Sequence, residues 1–277
     1  MGESAVNFLQ DALTFWNEKY TEVVSMLTTT PTGFQNGALW SVVRSVYNAI
    51  SAVGLALVVL CWVVGVVKSV GTFTELKRPE VSVKVIVRLV IVQYVVTHAL
   101  SIMMQFIKLA NGIIETVSEA TGTSTTMDLT VPQEIIDATS SLGWIKAIGP
   151  WCLSLVCMLL IMAMSFIILL TVYGRFFKIF IYTAVAPISL AGFAGEPTSG
   201  MGKSFVRAYL SVLMEGVVIV LACAVYTAFA KSVPTVDADA GASTMILKYT
   251  AQLAFQMLIL VATVRGCDHM ARELTGL

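Results

Sequence analysis

The sequence has little charge. Only 12% of its 277 residues are charged and 57% are hydrophobic, whereas a typical soluble domain has about 25% charged residues. This composition excludes an ordinary water-soluble domain. A cleavable secretory signal is not expected either. The first 25 residues carry Glu3, Asp11, Glu18 and Glu22, where a signal has basic residues and then a short apolar core.

Residues that carry out chemistry are also scarce. The two histidines, His98 and His269, are too few for a Ser-His-Asp or Cys-His arrangement, and the five cysteines form no CxxC pair. Although His269 adjoins Asp268 and Cys267, a contact between the tail and a partner subunit is favoured over a metal site. We therefore expect no catalytic residues, no metal and no cofactor, and we do not expect an enzyme.

A glycine-rich stretch at residues 195–204 comes close to the phosphate-binding pattern G-x-x-x-x-G-K-[ST] without satisfying it. Gly202, Lys203 and Ser204 fit the end of the pattern, but its first glycine falls on Pro197. The stretch is predicted to be a cytoplasmic turn. A net charge of zero, with no basic cluster interleaved with aromatic residues, gives no support to direct binding of nucleic acid.

Long apolar runs are what the sequence has in abundance. Five of them are predicted to be transmembrane helices, at residues 46–67, 85–107, 148–173, 208–230 and 244–264. At about 1.5 Å per residue, each can cross a hydrocarbon core of about 30 Å. The predicted fold class is an all-α integral membrane protein with an N-terminal amphipathic helix, five transmembrane helices and one re-entrant or broken helix.

The N-terminal helix is amphipathic. Apolar residues from Phe8 to Leu27 recur at helical spacing over residues 5–27, with acidic residues between them. Two interpretations stay open: the helix lies in a membrane interface, or it packs on neighbouring protein. Residues 1–45 are assigned to this helix and its linker, on the outer side of the membrane.

One apolar segment, residues 179–195, decides the topology. It is short for a span and contains Pro187, Gly192 and Gly195, which favour a broken or re-entrant helix hinged at these residues. If the segment returns to the cytoplasm, eleven basic residues lie inside and six outside; if it spans, the split is nine to eight. The cytoplasmic bias of Lys and Arg favours the re-entrant arrangement, with the N-terminus outside and the C-terminus inside.

This topology divides the chain into four regions. After residues 1–45 come a helical hairpin with a basic cytoplasmic loop at 46–112 and an acidic extracytoplasmic loop at 113–146, with a short helix at 132–141. A C-terminal membrane domain occupies residues 147–277. The basic residues expected to anchor the cytoplasmic surface are Lys77, Arg78, Lys84, Arg88, Arg175, Lys178, Lys203 and Arg207, with the last two placed at the lipid headgroups.

A few polar residues are predicted to lie within the membrane. Glu215 and Gln256 have similar depths and are expected to be neighbours, while His98 and Gln252 form a second set and Gln93 is a further candidate. Such residues face protein or water rather than lipid. Hydrogen bonding between helices is the favoured role, and a proton relay or polar pore lining is the alternative.

Residues 174–207 resemble a known family. The matching residues are Gly174-Arg175-Phe176-Phe177-Lys178, Ala186-Pro187-Ile188, Ala191, Gly195 and Gly202-Lys203-Ser204-Phe205, followed by an apolar helix. They are similar to the TrbL family of conjugal transfer proteins, the polytopic inner-membrane subunits of type IV secretion systems, in the version found in Gram-positive conjugative elements. The family's five spans, outside N-terminus and inside C-terminus agree with the topology above.

The resemblance implies a structural subunit of a machine that translocates DNA and protein. Family members form rings, expected to be pentameric, beside a cytoplasmic ATPase, a bitopic assembly factor and a coupling protein that delivers relaxase-bound DNA. The DNA would meet this subunit only indirectly. The implied location is the bacterial inner membrane, in contact with lipid. Two alternatives stay open: a proton-coupled secondary transporter centred on Glu215, and an assembly factor without a pore.

Overall fold

The structure, a computed structural model, is all-helical in the part of the chain that it describes, residues 2–69, 79–121, 129–140, 148–230 and 242–277. The helices are α1 (Gly2–Thr28), α2 (Ala38–Ser69), α3 (Pro79–Thr97), α4 (Ala99–Thr121), α5 (Gln133–Ser140), α6 (Ile148–Ala191), α7 (Ser199–Ala230) and α8 (Ala242–Thr275). Short 3-10 helices occupy Phe34–Gly37 and Gly192–Ala194.

Five helices are long and apolar enough to cross a membrane. These segments are Ala38–Lys68, Ala99–Thr121, Ile148–Ala194, Ser199–Ala230 and Thr244–Thr275. The predicted fold class, an all-α integral membrane protein, is therefore confirmed. The predicted helix at residues 132–141 is also present as α5, whose first turn begins just after Pro132.

The chain forms two compact units, each assembled from separate stretches of sequence. The first unit consists of Met1–Thr28, Ile114–Tyr173 and Val218–Cys267, and the second of Thr29–Ile113, Gly174–Val217 and Asp268–Leu277. The four regions predicted from the sequence describe membrane topology and stay a prediction.

In the first unit, the apolar face of α1 is buried against the rest of the unit. Trp16 is 1% exposed, and the hydroxyl groups of Tyr20 and Thr227 share a hydrogen bond of 3.0 Å. The Phe8 ring lies 6.1 Å from that of Trp151 on α6, and Asn17 donates a hydrogen bond to the Leu129 carbonyl. Of the two interpretations of α1, this burial favours packing on protein.

In the second unit, α2 and α3 form an antiparallel hairpin. At one end the Tyr47 hydroxyl donates to the Val96 carbonyl at 3.3 Å, and at the other the Trp62 indole N–H donates to the Val85 carbonyl at 3.1 Å. The C-terminal part of α6 packs on α2, where Gly54 lies directly against Pro187. These contacts hold the turn after α6 at the same end of the unit as the C-terminal end of α2 and the N-terminal end of α3.

The second predicted span, residues 85–107, is not one helix. It is divided at His98 between α3 and α4, although the backbone bonds from His98 N to the Tyr94 carbonyl and from Ile102 N to the His98 carbonyl continue the helical pattern. Neither proline nor glycine lies at this break, so the apolar pattern carries no signal for it. Helix α4 then extends to Thr121, well into the predicted 113–146 loop.

The segment 179–195 is also different from the prediction. It is not a separate element after a span at 148–173, because α6 runs without a break for 44 residues, or about 66 Å. Pro187 lies inside this helix, which ends four residues later at Ala191. The proline ring packs on the bare backbone of Gly54, and we attribute the continuity of the helix to this tertiary contact.

Candidate functional site

Glu215, the predicted intramembrane acid, lies in a cluster of charged side chains in the second unit. Its side chain is only 2% exposed, and its Oε2 accepts a hydrogen bond from Lys178 Nζ at 3.4 Å. Helices α6 and α7 run antiparallel here, which brings together two residues that are 37 positions apart in sequence. The carboxylate is thus paired, as burial of a charge requires.

Arg175 lies one helical turn before Lys178 and is the most deeply buried cation of the cluster. It is 2% exposed, and its guanidinium donates to the carbonyl oxygens of Val212 at 3.2 Å and Leu213 at 3.4 Å. The guanidinium rests on the backbone of Gly216, where any side chain would collide with it. Arg175 is thus buried within the protein, and its predicted role as an anchor at the cytoplasmic surface stays a prediction.

The C-terminal end of α8 completes the cluster. Lys178 Nζ lies 2.9 Å from Asp268 Oδ1, and Asp268 Oδ2 lies 3.1 Å from an Arg272 guanidinium nitrogen. Opposite charges therefore alternate from Glu215 through Lys178 and Asp268 to Arg272. The Lys178 side chain is 40% exposed and that of Asp268 35%, so the outer half of the cluster meets the surface.

The cluster is arranged to hold three chain segments together. Every carboxylate in it is matched by a cation, and within the described ranges no group of three or more His, Cys, Asp and Glu side chains could hold a metal. The sequence analysis missed the pairing of Lys178 with Asp268, because the two residues are 90 positions apart and no local pattern links them. His269, beside Asp268, forms a contact of 3.3 Å with Glu273.

A second notable site is the turn after α6, which contains two of the predicted hinge residues. Arg88 donates to the Phe193 carbonyl at 2.8 Å and to the Gly195 carbonyl at 3.3 Å, so α3 satisfies carbonyl groups near the end of α6. A Cβ added to Gly65 of α2 would lie 2.8 Å from the Gly195 Cα, so the two backbones touch. These contacts describe a tightly packed turn.

The other polar residues predicted to lie within the membrane differ in exposure and in their contacts. His98 is exposed, with Nδ1 3.0 Å from the Tyr94 carbonyl and its ring stacked at 4.2 Å on that of Tyr94. Gln93 and Gln252 are exposed, whereas Gln256 is 6% exposed. Because Gln256 and Gln252 belong to the first unit and Glu215 and His98 to the second, the predicted proximities remain predictions.

The other predicted basic anchors differ in their surroundings. Lys84, Lys203 and Arg207 are exposed, and Arg88 is half-buried. Lys77 and Arg78 lie outside the described residues. Along α6, Lys178 is fifteen residues before Phe193, the contact of Arg88. At roughly 1.5 Å per residue, the carbonyl group that Arg88 contacts is about 22 Å from Lys178 along the chain after Lys178.

Comparison with known proteins identifies the family of the chain. No curated protein and no solved structure matches the chain. The family described as TrbL/VirB6 plasmid conjugal transfer like protein matches residues 16–187. This range includes Arg175, Lys178 and Pro187 but ends before Gly195 and Lys203, two of the residues that carried the resemblance. Because the match covers more than half of the sequence, the chain belongs to the TrbL/VirB6-like family of plasmid conjugal transfer proteins.

Proposed function

We propose that the chain is a channel or scaffold subunit of a type IV secretion machine and that it assembles as a homo-oligomeric ring. The family is a membrane component of conjugal transfer, and the five apolar helices are those of a multi-pass membrane protein. The family match is the observation that carries the proposal. The ring, with a pentamer as the expected form, is a more specific part of the proposal that rests on the family resemblance.

The proposed partners are the other components of such a machine. They are a cytoplasmic ATPase, a bitopic assembly factor and a coupling protein, with relaxase-bound DNA reached only through them. The proposed setting is the inner membrane of a bacterium, in a conjugative element of the Gram-positive type, with the N-terminus outside and the C-terminus in the cytoplasm.

The environment of Glu215 favours a structural role over a secondary transporter. A coupling carboxylate must exchange protons with water, yet the Glu215 side chain is 2% exposed and is paired with Lys178. The charged cluster would instead stabilise the subunit. An assembly factor without a pore is the remaining alternative, and it would be needed for transfer without lining the path of the substrate.

Deletion and complementation test the proposal. Removing the coding sequence from its element should abolish conjugation, and supplying the intact chain in trans should restore it. Affinity purification from mating cells should recover the ATPase and the coupling protein. Glu215→Gln should conjugate at close to the normal frequency. Normal conjugation in the deletion strain would contradict the proposal, and a proton-coupled uptake activity that Glu215→Gln abolishes would favour the transporter.

A further inference from the structure

One end of the second unit is rich in exposed cations. It is the end at which α2 stops, α3 begins and the turn after α6 leads into α7. We refer to the four exposed cations at this end as the basic rim, which consists of Lys68 on α2, Lys84 on α3, and Lys203 and Arg207 on α7. The exposed acidic residues there, among those that the structure describes, are Glu80 and Glu196. Positive charge is therefore in excess.

Two contacts hold α2, α3 and the turn together at this end. The Trp62 indole of α2 donates to the carbonyl of the residue that follows Lys84 on α3, at 3.1 Å. Gly65, three residues before Lys68, touches Gly195 in the turn after α6. Lys68 and Lys84 therefore lie on the same side of the unit as the turn.

Helix α7 brings the other two cations to this end. A Cβ added to Gly202 would lie 2.6 Å from ring atoms of Phe193, so α7 packs on the turn directly before Lys203. Arg207 lies one helical turn further along. Because helical side chains point toward the N-terminus of their helix, which is here the end with the turn, the long Arg207 side chain extends back toward Lys203.

The two cations of α7 are available to a ligand. Within the described residues, neither Lys203 nor Arg207 has an acidic or hydrogen-bonding partner. Arg88, by contrast, donates to the carbonyl groups of Phe193 and Gly195 in the turn. Lys203 and Arg207 thus present two unpaired positive charges on one exposed side of a helix.

An exposed apolar surface borders the basic rim. On α2, the exposed residues from Ala49 to Val67 are all apolar, and Lys68 follows them directly. On α3, five large apolar residues are between 47% and 59% exposed, and they are Val83, Ile86, Val87, Val90 and Ile91. A ligand that fits both the cations and this surface has an anionic group joined to long apolar chains, which is the chemistry of an acidic phospholipid.

We propose that the basic rim binds the phosphate groups of anionic phospholipids, whose acyl chains lie along the exposed apolar residues of α2 and α3. Basic residues at the cytoplasmic end of membrane helices attract anionic lipids, and the proposed topology places this end in the cytoplasm. The proposal extends the headgroup placement predicted for Lys203 and Arg207 to Lys68 and Lys84, and it adds a preference for anionic over neutral lipid. It does not depend on the ring, since one copy carries all four cations.

Native mass spectrometry of the full chain in detergent tests this preference. The chain is titrated with phosphatidylglycerol, which is anionic, or with phosphatidylcholine, which has no net charge, and the lipid-bound fraction gives a dissociation constant for each. Lys203→Gln/Arg207→Gln removes two charges of the rim. Arg44→Gln/Lys108→Gln is the matched control, because both residues are exposed and each lies about 36 Å from a rim cation along α2 or along α3 and α4.

The unmodified chain should bind phosphatidylglycerol more tightly than phosphatidylcholine. Each cation near an anionic lipid contributes about fivefold in affinity, so Lys203→Gln/Arg207→Gln should weaken phosphatidylglycerol binding by about 25-fold. Binding of phosphatidylcholine should not change, and the control variant should keep the affinity of the unmodified chain for both lipids. Equal weakening by the two double variants, or equal affinity of the unmodified chain for the two lipids, would overturn the proposal.

Competition identifies the source of the phosphate. Inorganic phosphate, added at constant ionic strength, should leave phosphatidylglycerol bound, because it has no acyl chains to lie on α2 and α3. Displacement of the lipid by inorganic phosphate would mean a site for free phosphate and would overturn the proposal. Displacement by a DNA oligonucleotide would also overturn it, since the surface would then favour nucleic acid.

Discussion

At the scale of single residues, Arg175 is the most demanding side chain in the second unit. A guanidinium carries five N–H donors, and taking it out of water is tolerated only when carbonyls or carboxylates receive them. Two carbonyls of α7 do so, and Glu215 adds an electrostatic attraction. The residue therefore ties α6 to α7 through the backbone, at a position where α7 must have no side chain.

Replacing Gly216 by alanine tests that requirement. The new Cβ would collide with the Arg175 guanidinium, so we expect the free energy of unfolding to fall by about 1–3 kcal/mol, as for other overpacked sites. Thermal unfolding of the detergent-solubilised protein measures the loss. Gly174→Ala is the control, since its Cβ would meet nothing within 4 Å. Equal stability of the two variants would show that Arg175 does not lie on Gly216.

The pairing of Lys178 with Glu215 makes a second prediction. Lys178→Met leaves the Glu215 carboxylate, 2% exposed, without its nearest cation. We expect a loss of about 2 kcal/mol, less than the roughly 3–5 kcal/mol of a fully buried pair because the Lys178 side chain is partly exposed. The double variant Lys178→Met/Glu215→Gln should recover part of the loss, because no buried carboxylate is left without a cation, although Arg175 then loses the attraction of Glu215. Additive losses in chemical denaturation would mean that the two residues do not interact.

At the scale of elements, small residues allow α2 to touch the turn after α6. Gly54 and Gly65 are eleven residues apart on α2, three helical turns, and each meets backbone or proline atoms. This is how transmembrane helices associate in the absence of a hydrophobic driving force between them. Arg88 of α3 then satisfies the carbonyl oxygens that the turn exposes.

The close approach predicts that Gly65→Ala is disruptive. Its Cβ would lie 2.8 Å from the Gly195 Cα, and backbone atoms on both sides have to move. We expect about 1–3 kcal/mol of destabilisation and a lower yield of monodisperse protein on size-exclusion chromatography. Gly112→Ala on α4, which meets nothing within 4 Å, should behave as the unmodified chain. A normal Gly65→Ala profile would disprove the contact.

The sequence predicted the presence of the helices better than the residues at which they begin and end. Apolar runs were enough to predict the long helices, and Pro132 was enough to predict the start of α5, because both signals are local. Gly174, Arg175 and Lys178 looked like the end of a span, since charges usually mark a membrane surface. In the folded chain, Arg175 donates hydrogen bonds to carbonyl groups of α7, and Lys178 pairs with carboxylates of α7 and α8. Helix α6 therefore continues past both residues. Partners so distant in sequence leave no local trace.

At the scale of the whole molecule, orientation is the first property to establish. If the chain has the proposed topology, the turn at residues 195–198 lies on the cytoplasmic side with the loop after α2. In a chain that also carries Cys152→Ser, since native Cys152 is exposed, a cysteine at Ser199 should therefore react with an impermeant reagent in inverted vesicles and stay unlabelled in intact cells, where a cysteine in the acidic 113–146 loop is the positive control. Labelling of Ser199→Cys in intact cells would reverse the orientation.

Assembly is the second property, and the proposed role as a ring-forming subunit depends on it. Native mass spectrometry of the full chain, extracted directly from membranes into lipid nanodiscs, measures it most directly. The account predicts one dominant species that contains two or more copies of the 29.9 kDa chain, with five copies expected. A single species at 29.9 kDa, from membranes in which conjugation is active, would contradict it.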